Sequence, residues 1–349
     1  MHRLRFFAAG LFVFSAVLPW VGSSSSSTTA SAAEPKSYSL LNVSYDPTRE
    51  LWRDLNEHFI KDYKQKSNAD VEIKQSHGGS TTQARAVIDG LDADVVTLAM
   101  FPDTDAIRAS GLISAGWVDR LPHKSLPYTS TIVFVVRKGN PKGVKDWPDL
   151  VKGDIQIITP NPKTSGNGKL SLLTAWGYVT QNGGSEEEAL KFVTELYKRV
   201  PVLDSGARGS TTTFVQKGIG DVHLAWENEA HLEVQEARGE LEIVYPSISI
   251  LAEPHVALVD VNVDRHGTRE VAEAYLKFLY TDEAQNIIGE HFYRPANEEI
   301  AKRFVSTLPP LKRFPVTEVA LDWTDAQEKF FADGAIFDSF APLAGSLTR

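Results

Sequence analysis

In the run ITPNPKTSGNGKL (158–170), a β-type segment from Asp154 to Thr159 gives way to a loop carrying Ser165, Gly166, Asn167 and Gly168. An amphipathic segment, Leu170 to Val179, follows. Glycine lets a backbone turn sharply and bring its own N–H groups close to whatever lies in front of it. A helix that starts there leaves its first N–H groups unpaired and carries a partial positive charge at that end. Strand, glycine-rich turn and helix start together predict an anion cradle. One such turn is compatible with an ordinary βα loop, so its weight comes from repetition along the chain.

The motif does recur. SYDPTRELWRDLNEHFIKDY follows a strand at Ser39–Val43, with Asp46 expected as a helix N-cap, Pro47 at the first helical position and Leu51, Leu55 and Phe59 as the buried face. After a strand at Val71–Ile73, Gly78 and Gly79 precede Ser80, which the pattern pairs with Gln83 in a capping box. LDSGARGSTTTFVQKG turns around Gly206 and Gly209 into a short helix that begins near Ala207 and Arg208. The strand Asp221–Trp226 ends on Trp226, and Glu227–Glu236 reads as a helix. Asp94–Ala99 is a continuous buried-strand run, and Ser185 with Glu188 caps a further helix. Thr268–Tyr280, Asp282–His291 and Trp323–Asp333 read as helices. Strands alternating with helices over short links predict an α/β protein with both sheet faces covered.

A chain of 349 residues exceeds one core of usual size, so two lobes are expected. The long β runs Tyr128–Val136 and Ile248–Val261 suit crossings between them. They divide the chain into a first lobe of 37–127 plus 256–349 and a second of 128–255. Residues 1–33 stand apart. Arg3 and Arg5, the apolar run Phe6–Val21 and the small residues Ala30-Ser31-Ala32 form a secretory signal peptide. There is no cysteine, which excludes disulfides, thiol catalysis and a lipidated N-terminal cysteine, and a periplasmic location is expected. Without Arg3 and Arg5 the chain has 34 Lys+Arg against 45 acids, a net charge near −11, which argues against nucleic acid as a partner. A small anion is not excluded, because local N–H dipoles decide affinity in a closed site.

The groups offered by these junctions are backbone N–H groups, the Ser80 and Ser165 hydroxyls and the indole N–H of Trp226, which is a donor only. A site of donors suits a fully deprotonated tetrahedral oxyanion such as sulfate. Hydrogen phosphate would bring a proton that needs an acceptor, and an unmet buried donor costs about 1–3 kcal/mol. A P-loop nucleotidase would need G-x-x-x-x-G-K-[ST], and here Lys163 and Leu170 occupy two of its positions. A serine hydrolase built on Ser80 and His77 lacks the G-x-S-x-G elbow. His77 reads as a local hydrogen-bonding residue, and neither a metal site nor a catalytic set is expected.

LLNVSYDPTREL, QSHGGS, YTSTIVFVVRKGNPK, TPNPKTSGNG, LDSGARGSTTTF, GIGDVHLAWENEA and ILAEP, spread from about Ser39 to the C-terminus, resemble the periplasmic sulfate-binding proteins of ABC-type importers. The resemblance implies two α/β lobes of the type II, clamp-like kind that close on dehydrated sulfate, no cofactor, a membrane permease as partner, and a monomer. Matched motif by motif, it places Ser80, Ser165, Gly166, Asn167, Ala207 and Trp226 on ligand donors, and Asp46, Gly79 and Arg208 on supporting positions. Ser165-Gly166-Asn167 departs from the family's Ser-Gly-Gly and is similar to the thiosulfate-binding relatives, while Trp226 in AWENEA is similar to the sulfate branch. Thiosulfate, or another oxyanion such as molybdate, is the alternative ligand.

Overall fold

The computed structural model describes residues 36–341, so the signal segment expected at 1–33 lies outside the described residues. In chain order its strands are β1 (Ser37–Tyr45), β2 (Asp70–Gly78), β3 (Val95–Leu98), β4 (Tyr128–Thr129), β5 (Ile132–Arg137) and β6 (Ile157–Ile158). They continue with β7 (Val222–Trp226), β8 (Leu241–Val244), β9 (Ile248–Ile250), β10 (His255–Leu258), β11 (Arg294–Pro295) and β12 (Lys312–Phe314). Two four-stranded sheets result, ordered β10-β3-β1-β2 and β6-β7-β5-β8. In the first, β1 runs parallel to β2 and β3, so Val43 sits between Ser76 and Val96, and β10 pairs antiparallel with β3. In the second, β5 is antiparallel to both β7 and β8, with Ile132 opposite Trp226. This is the two-lobed α/β arrangement the alternation predicts.

Each sheet buries both faces. On one face of the first lie Trp52, Leu55 and Phe59 of the helix Arg49–Ser67, packed on Tyr275 at ring distances of 5.9 and 5.1 Å from Trp52 and Phe59. Val87, Ile107 and Trp117 cover the other face. The second sheet packs Phe134 edge-on against Trp147 at 4.9 Å, and on its far side Val133 and Val135 meet Phe214 and Ala230. The segment Leu170–Val179, expected to be amphipathic, lies in a helix Gly166–Gln181 that starts within the expected loop and is buried all round through Trp176, because the second sheet and the C-terminal segment sandwich it. The sequence division places that segment with residues 37–127, and its aromatics pack on residues within 128–255: Phe330 on Trp176 at 5.0 Å and Phe340 on Tyr197 at 5.1 Å. An aromatic periodicity states that a helix has a buried face but not which core receives it.

The run Tyr128–Val136 is interrupted at Ser130-Thr131, and the run beginning at Asp154 forms a strand only at Ile157–Ile158. The breaks have a purpose. β4 pairs with β11, β9 pairs with β12, and Ser130 bridges Ala252, so short paired segments mark the crossings between the two sheets.

Burial leaves several histidines neutral. His255 lies edge-on to Phe101 and Trp117, and burial pushes its pKa down to about 4. Burial does the same to His77, with Arg49 adding to the effect, and to His231, each to about 4. A base whose folded pKa is depressed binds fewer protons than the unfolded chain, so it stabilises above its unfolded pKa and loses that contribution as pH falls towards the folded one. For the well-buried His255 the loss is at most about 3 kcal/mol. His266, raised by its bonds to Asp94 and Asp92, acts in the opposite sense at higher pH. The melting temperature is therefore expected to drop as pH is lowered from about 7 to about 4.5, and His255→Phe should remove part of that drop. A variant whose melting temperature falls by as much as that of the parent over this range would refute the assignment to His255.

Candidate functional site

The carboxyl ends of β1, β3 and β7 converge on three helix starts. Residues Tyr45, Asp46, Pro47, Gly78, Gly79, Ser80, Ala99, Ser165, Gly166, Asn167, Ala207 and Trp226 line a narrow chamber. All six residues expected as ligand donors are in that lining, together with Asp46 and Gly79. Arg208 is not.

The donors come from the helices Ser80–Ile88, Gly166–Gln181 and Ala207–Thr211. The first backbone bonds at their ends are Gln83 N–H to Gly79 O (2.9 Å), Lys169 N–H to Ser165 O (3.0 Å) and Ser210 N–H to Gly206 O (3.3 Å). The N–H groups ahead of these donors, among them those of Ser80, Gly166, Asn167 and Ala207, have no intrahelical acceptor. Ser165 differs, because its own N–H goes to Asn161 O at 3.0 Å, which leaves its hydroxyl as what it can offer the chamber. Trp226 closes the ring of donors. Its indole packs on Tyr45 at 5.4 Å, and its Nε1–H donates to none of the described residues.

Two capping expectations fail here, for the same reason. Ser80 does not form a capping box with Gln83: Gly79 takes the N-cap position, and Ser80 Oγ donates to Asp103 Oδ2 (2.5 Å) and accepts from Ala99 N–H (3.0 Å). Asp46 does not cap a helix either: Thr48 is the N-cap of Arg49–Ser67, and Asp46 Oδ1 accepts from Arg49 Nη2 at 2.8 Å. A charged or buried partner at good geometry outcompetes a backbone N–H for a short polar side chain. The Ser80 hydroxyl is thus occupied, and its contribution to the chamber reduces to the main-chain N–H. The box expected at Ser185 and Glu188 does form.

Asn167 is the departure from the family's glycine, and its side chain points away from the chamber. In the amide orientation that satisfies both ends, it donates to Leu224 O and Ser171 Oγ (both 3.1 Å) and accepts from Trp226 N–H at 3.2 Å. It pins the end of β7, and with it the indole of Trp226, to the helix Gly166–Gln181.

The walls approach each other closely where glycines stand. A Cβ placed on Gly79 would lie 2.6 Å from Thr164 O, one on Gly166 2.7 Å from the Ala99 Cβ, and one on Gly206 2.6 Å from Asp46 Oδ2. Outside the lining, Arg208 joins Glu50 (3.2 Å) to buried Glu229 (3.1 Å), linking the helix Arg49–Ser67 to the helix Glu227–Glu236. Burial pushes the Glu229 carboxyl up to about 8 while the Arg208 charge pulls it down. Lys169 donates to Thr81 Oγ1 (3.2 Å) and Gln327 Oε1 (3.0 Å), a buried cation set behind the helix start rather than in the chamber. Tyr45, Ala99 and Asp103 carried no signal in the sequence. Each matters through a partner nineteen or more positions distant or through packing alone.

Charge in the chamber is therefore supplied by dipoles, with every neighbouring ion already paired. Such a site can bind a compact anion that needs only donors, and its Ser80 hydroxyl is bonded to Asp103, not to His77. Two α/β lobes with a donor-lined chamber between their strand ends define a solute receptor.

The profile of bacterial extracellular solute-binding proteins matches residues 50–294, and the chain belongs to that family. It is 53% identical over 314 residues to a protein of Escherichia coli K12 called sulfate-binding protein, covering 89% of this chain and 95% of that one. It is 50% identical over 311 residues to the thiosulfate-binding protein of Pseudomonas aeruginosa, covering 88% and 92%. The solved sulfate-binding protein SubI from Mycobacterium tuberculosis H37Rv superposes with a TM-score of 0.77 at 29% identity, over 84% of this chain and 99% of that one.

Proposed function

We propose that the chain is a periplasmic receptor that captures sulfate in this chamber and hands it to the membrane permease of an ABC-type importer. The observation that carries the proposal is the convergence of three helix N-termini and an indole N–H with no unpaired ion in the lining. The lobes divide as residues 37–127 with 255–301, and 128–250 with 312–341, so Ser80 and Ser165 face each other from opposite sides. Sulfate is held by the main-chain N–H groups of Ser80, Gly166, Asn167 and Ala207, by Ser165 Oγ and by Trp226 Nε1. Gly79 permits the approach, Asp46 is silenced by Arg49, and Arg208 ties the lobes through Glu50. The protein acts as a monomer and catalyses nothing. Half-identity to a thiosulfate-binding relative keeps thiosulfate as the second reading.

Calorimetric titration of one sample with sulfate, thiosulfate, phosphate and molybdate is the test. Sulfate is expected to bind tightest. Its affinity should be flat from about pH 5 to 8, because none of the donors titrates, whereas phosphate loses its second proton near pH ~6–7. Phosphate should fail to compete at any of these pH values. Competition by phosphate that strengthens as pH falls would show a free acceptor in the chamber and overturn the donor-only reading. Tighter binding of thiosulfate would transfer the assignment to the second ligand.

A further inference from the structure

The crossing strands β4, β11 and β12 carry Thr129, Arg294 and Arg313 to a separate cavity of about 310 Å³ that opens to solvent. The two arginines there are not equivalent. Arg294 is satisfied: it grips the fully buried Glu227 with two bonds of 2.7 Å and donates to Pro309 O at 2.8 Å. Arg313 is half-buried and donates through Nη1 to Thr129 Oγ1 at 3.1 Å. The remaining N–H groups of its guanidinium have no acceptor, and no carboxylate pairs with it, among the described residues. Burial, and then the neighbouring Arg294 charge, depress its pKa below the usual guanidinium value. Glu227, already committed to Arg294, cannot neutralise both. At the rim Lys302 is taken by Glu299 at 2.5 Å, and exposed Glu298 offers no bond inward. The rest of the wall includes Pro295, Val305 and Leu308. Val305 is one of the few large apolar side chains left exposed, at 48%.

A partly desolvated cation without a counter-ion is unfavourable. Its planar fork of donors matches a carboxylate, and one unpaired positive charge calls for one negative charge. The apolar wall beside it calls for a body that inorganic anions lack. We propose that this cavity is a second binding site, for a small organic monocarboxylate whose head group takes Arg313 and Thr129 and whose apolar tail lies against Pro295, Val305 and Leu308. The site is independent of the sulfate chamber and would stand if the chamber took another anion.

Butyrate is the probe, with acetate, butanol and inorganic phosphate alongside. Binding to the full mature chain is followed by ligand-observed NMR, with and without saturating sulfate. Butyrate should bind in both conditions, with acetate about tenfold weaker because it lacks most of the buried methylenes. Butanol and phosphate should be much weaker than either. Arg313→Gln should weaken butyrate roughly tenfold or more, the loss of a charge-assisted pair. Since that variant disturbs a half-buried position, Val305→Glu serves as the second: it places a competing carboxylate on an exposed residue and should also abolish butyrate binding. No binding of butyrate to the unaltered chain, binding that survives both substitutions, or phosphate binding as well as butyrate would each overturn the proposal.

Discussion

Gly166→Ala is expected to weaken sulfate binding by roughly two orders of magnitude while leaving the ligand-free protein as stable as before. Gly166 is the first residue of its helix, where alanine is at least as favourable as glycine for the local backbone. Its φ is not positive, so no conformational strain follows from adding a side chain. What forbids the methyl is the opposite wall, because the new Cβ would stand 2.7 Å from the Ala99 Cβ, and Ala99 is itself fully buried at the end of β3. Backbone lies on both sides of that contact, so nothing flexible can give way, and overpacking of this kind costs about 1–3 kcal/mol. If the lobes part in the absence of ligand, that cost falls on the closed state alone. The shift also displaces the Gly166 N–H from a charged ligand, a further loss of about 1.5–3 kcal/mol. Gly79→Ala, facing Thr164 O at 2.6 Å, should behave alike. Calorimetry for affinity and a thermal melt without sulfate check both parts. Unchanged sulfate affinity in Gly166→Ala would mean that the walls need not meet to hold the ligand.

Trp226→Phe carries the next largest effect, and it isolates a single hydrogen bond. Phenylalanine can keep the contact with Tyr45 and the burial of the ring while removing Nε1–H. Because that N–H has no partner among the described residues, its loss should leave the ligand-free melting temperature nearly unchanged. A bond to a charged acceptor contributes about 1.5–3 kcal/mol, so sulfate affinity should fall between about tenfold and a hundredfold or more. Equal affinity in parent and variant would reduce Trp226 to a packing residue. The same measurement on thiosulfate bears on the role of Asn167, whose side chain holds the end of β7 rather than reaching the chamber. Selectivity between the two anions should then follow the position of the indole, and Asn167→Gly should alter it through that position.

The conformation at each junction was legible in the chain because glycine placement, proline at a helix start and apolar periodicity are local properties. They located the helix starts near Ser80 and Ala207, the end of β7 at Trp226 and the alternation that makes two α/β lobes, while the helical run expected from Leu170 begins earlier, at Gly166. The expected donor residues were named through the family resemblance of the motifs at these junctions, and helix N-termini offer main-chain N–H groups whose placement depends on backbone shape more than on distant partners. What short polar side chains would do was not legible. Ser80 and Asp46 look like caps in sequence, and the fold gives them Asp103 and Arg49 instead, the first twenty-three residues away and the second a charged rival to backbone N–H groups. Likewise Trp323–Asp333 reads as helical in sequence, but the docking of Phe330 on Trp176 and of Phe340 on Tyr197 depends on where the chain returns in space. Only tertiary structure decides the partner of a side chain or a helix face, because the competing acceptors and cores lie far apart along the chain.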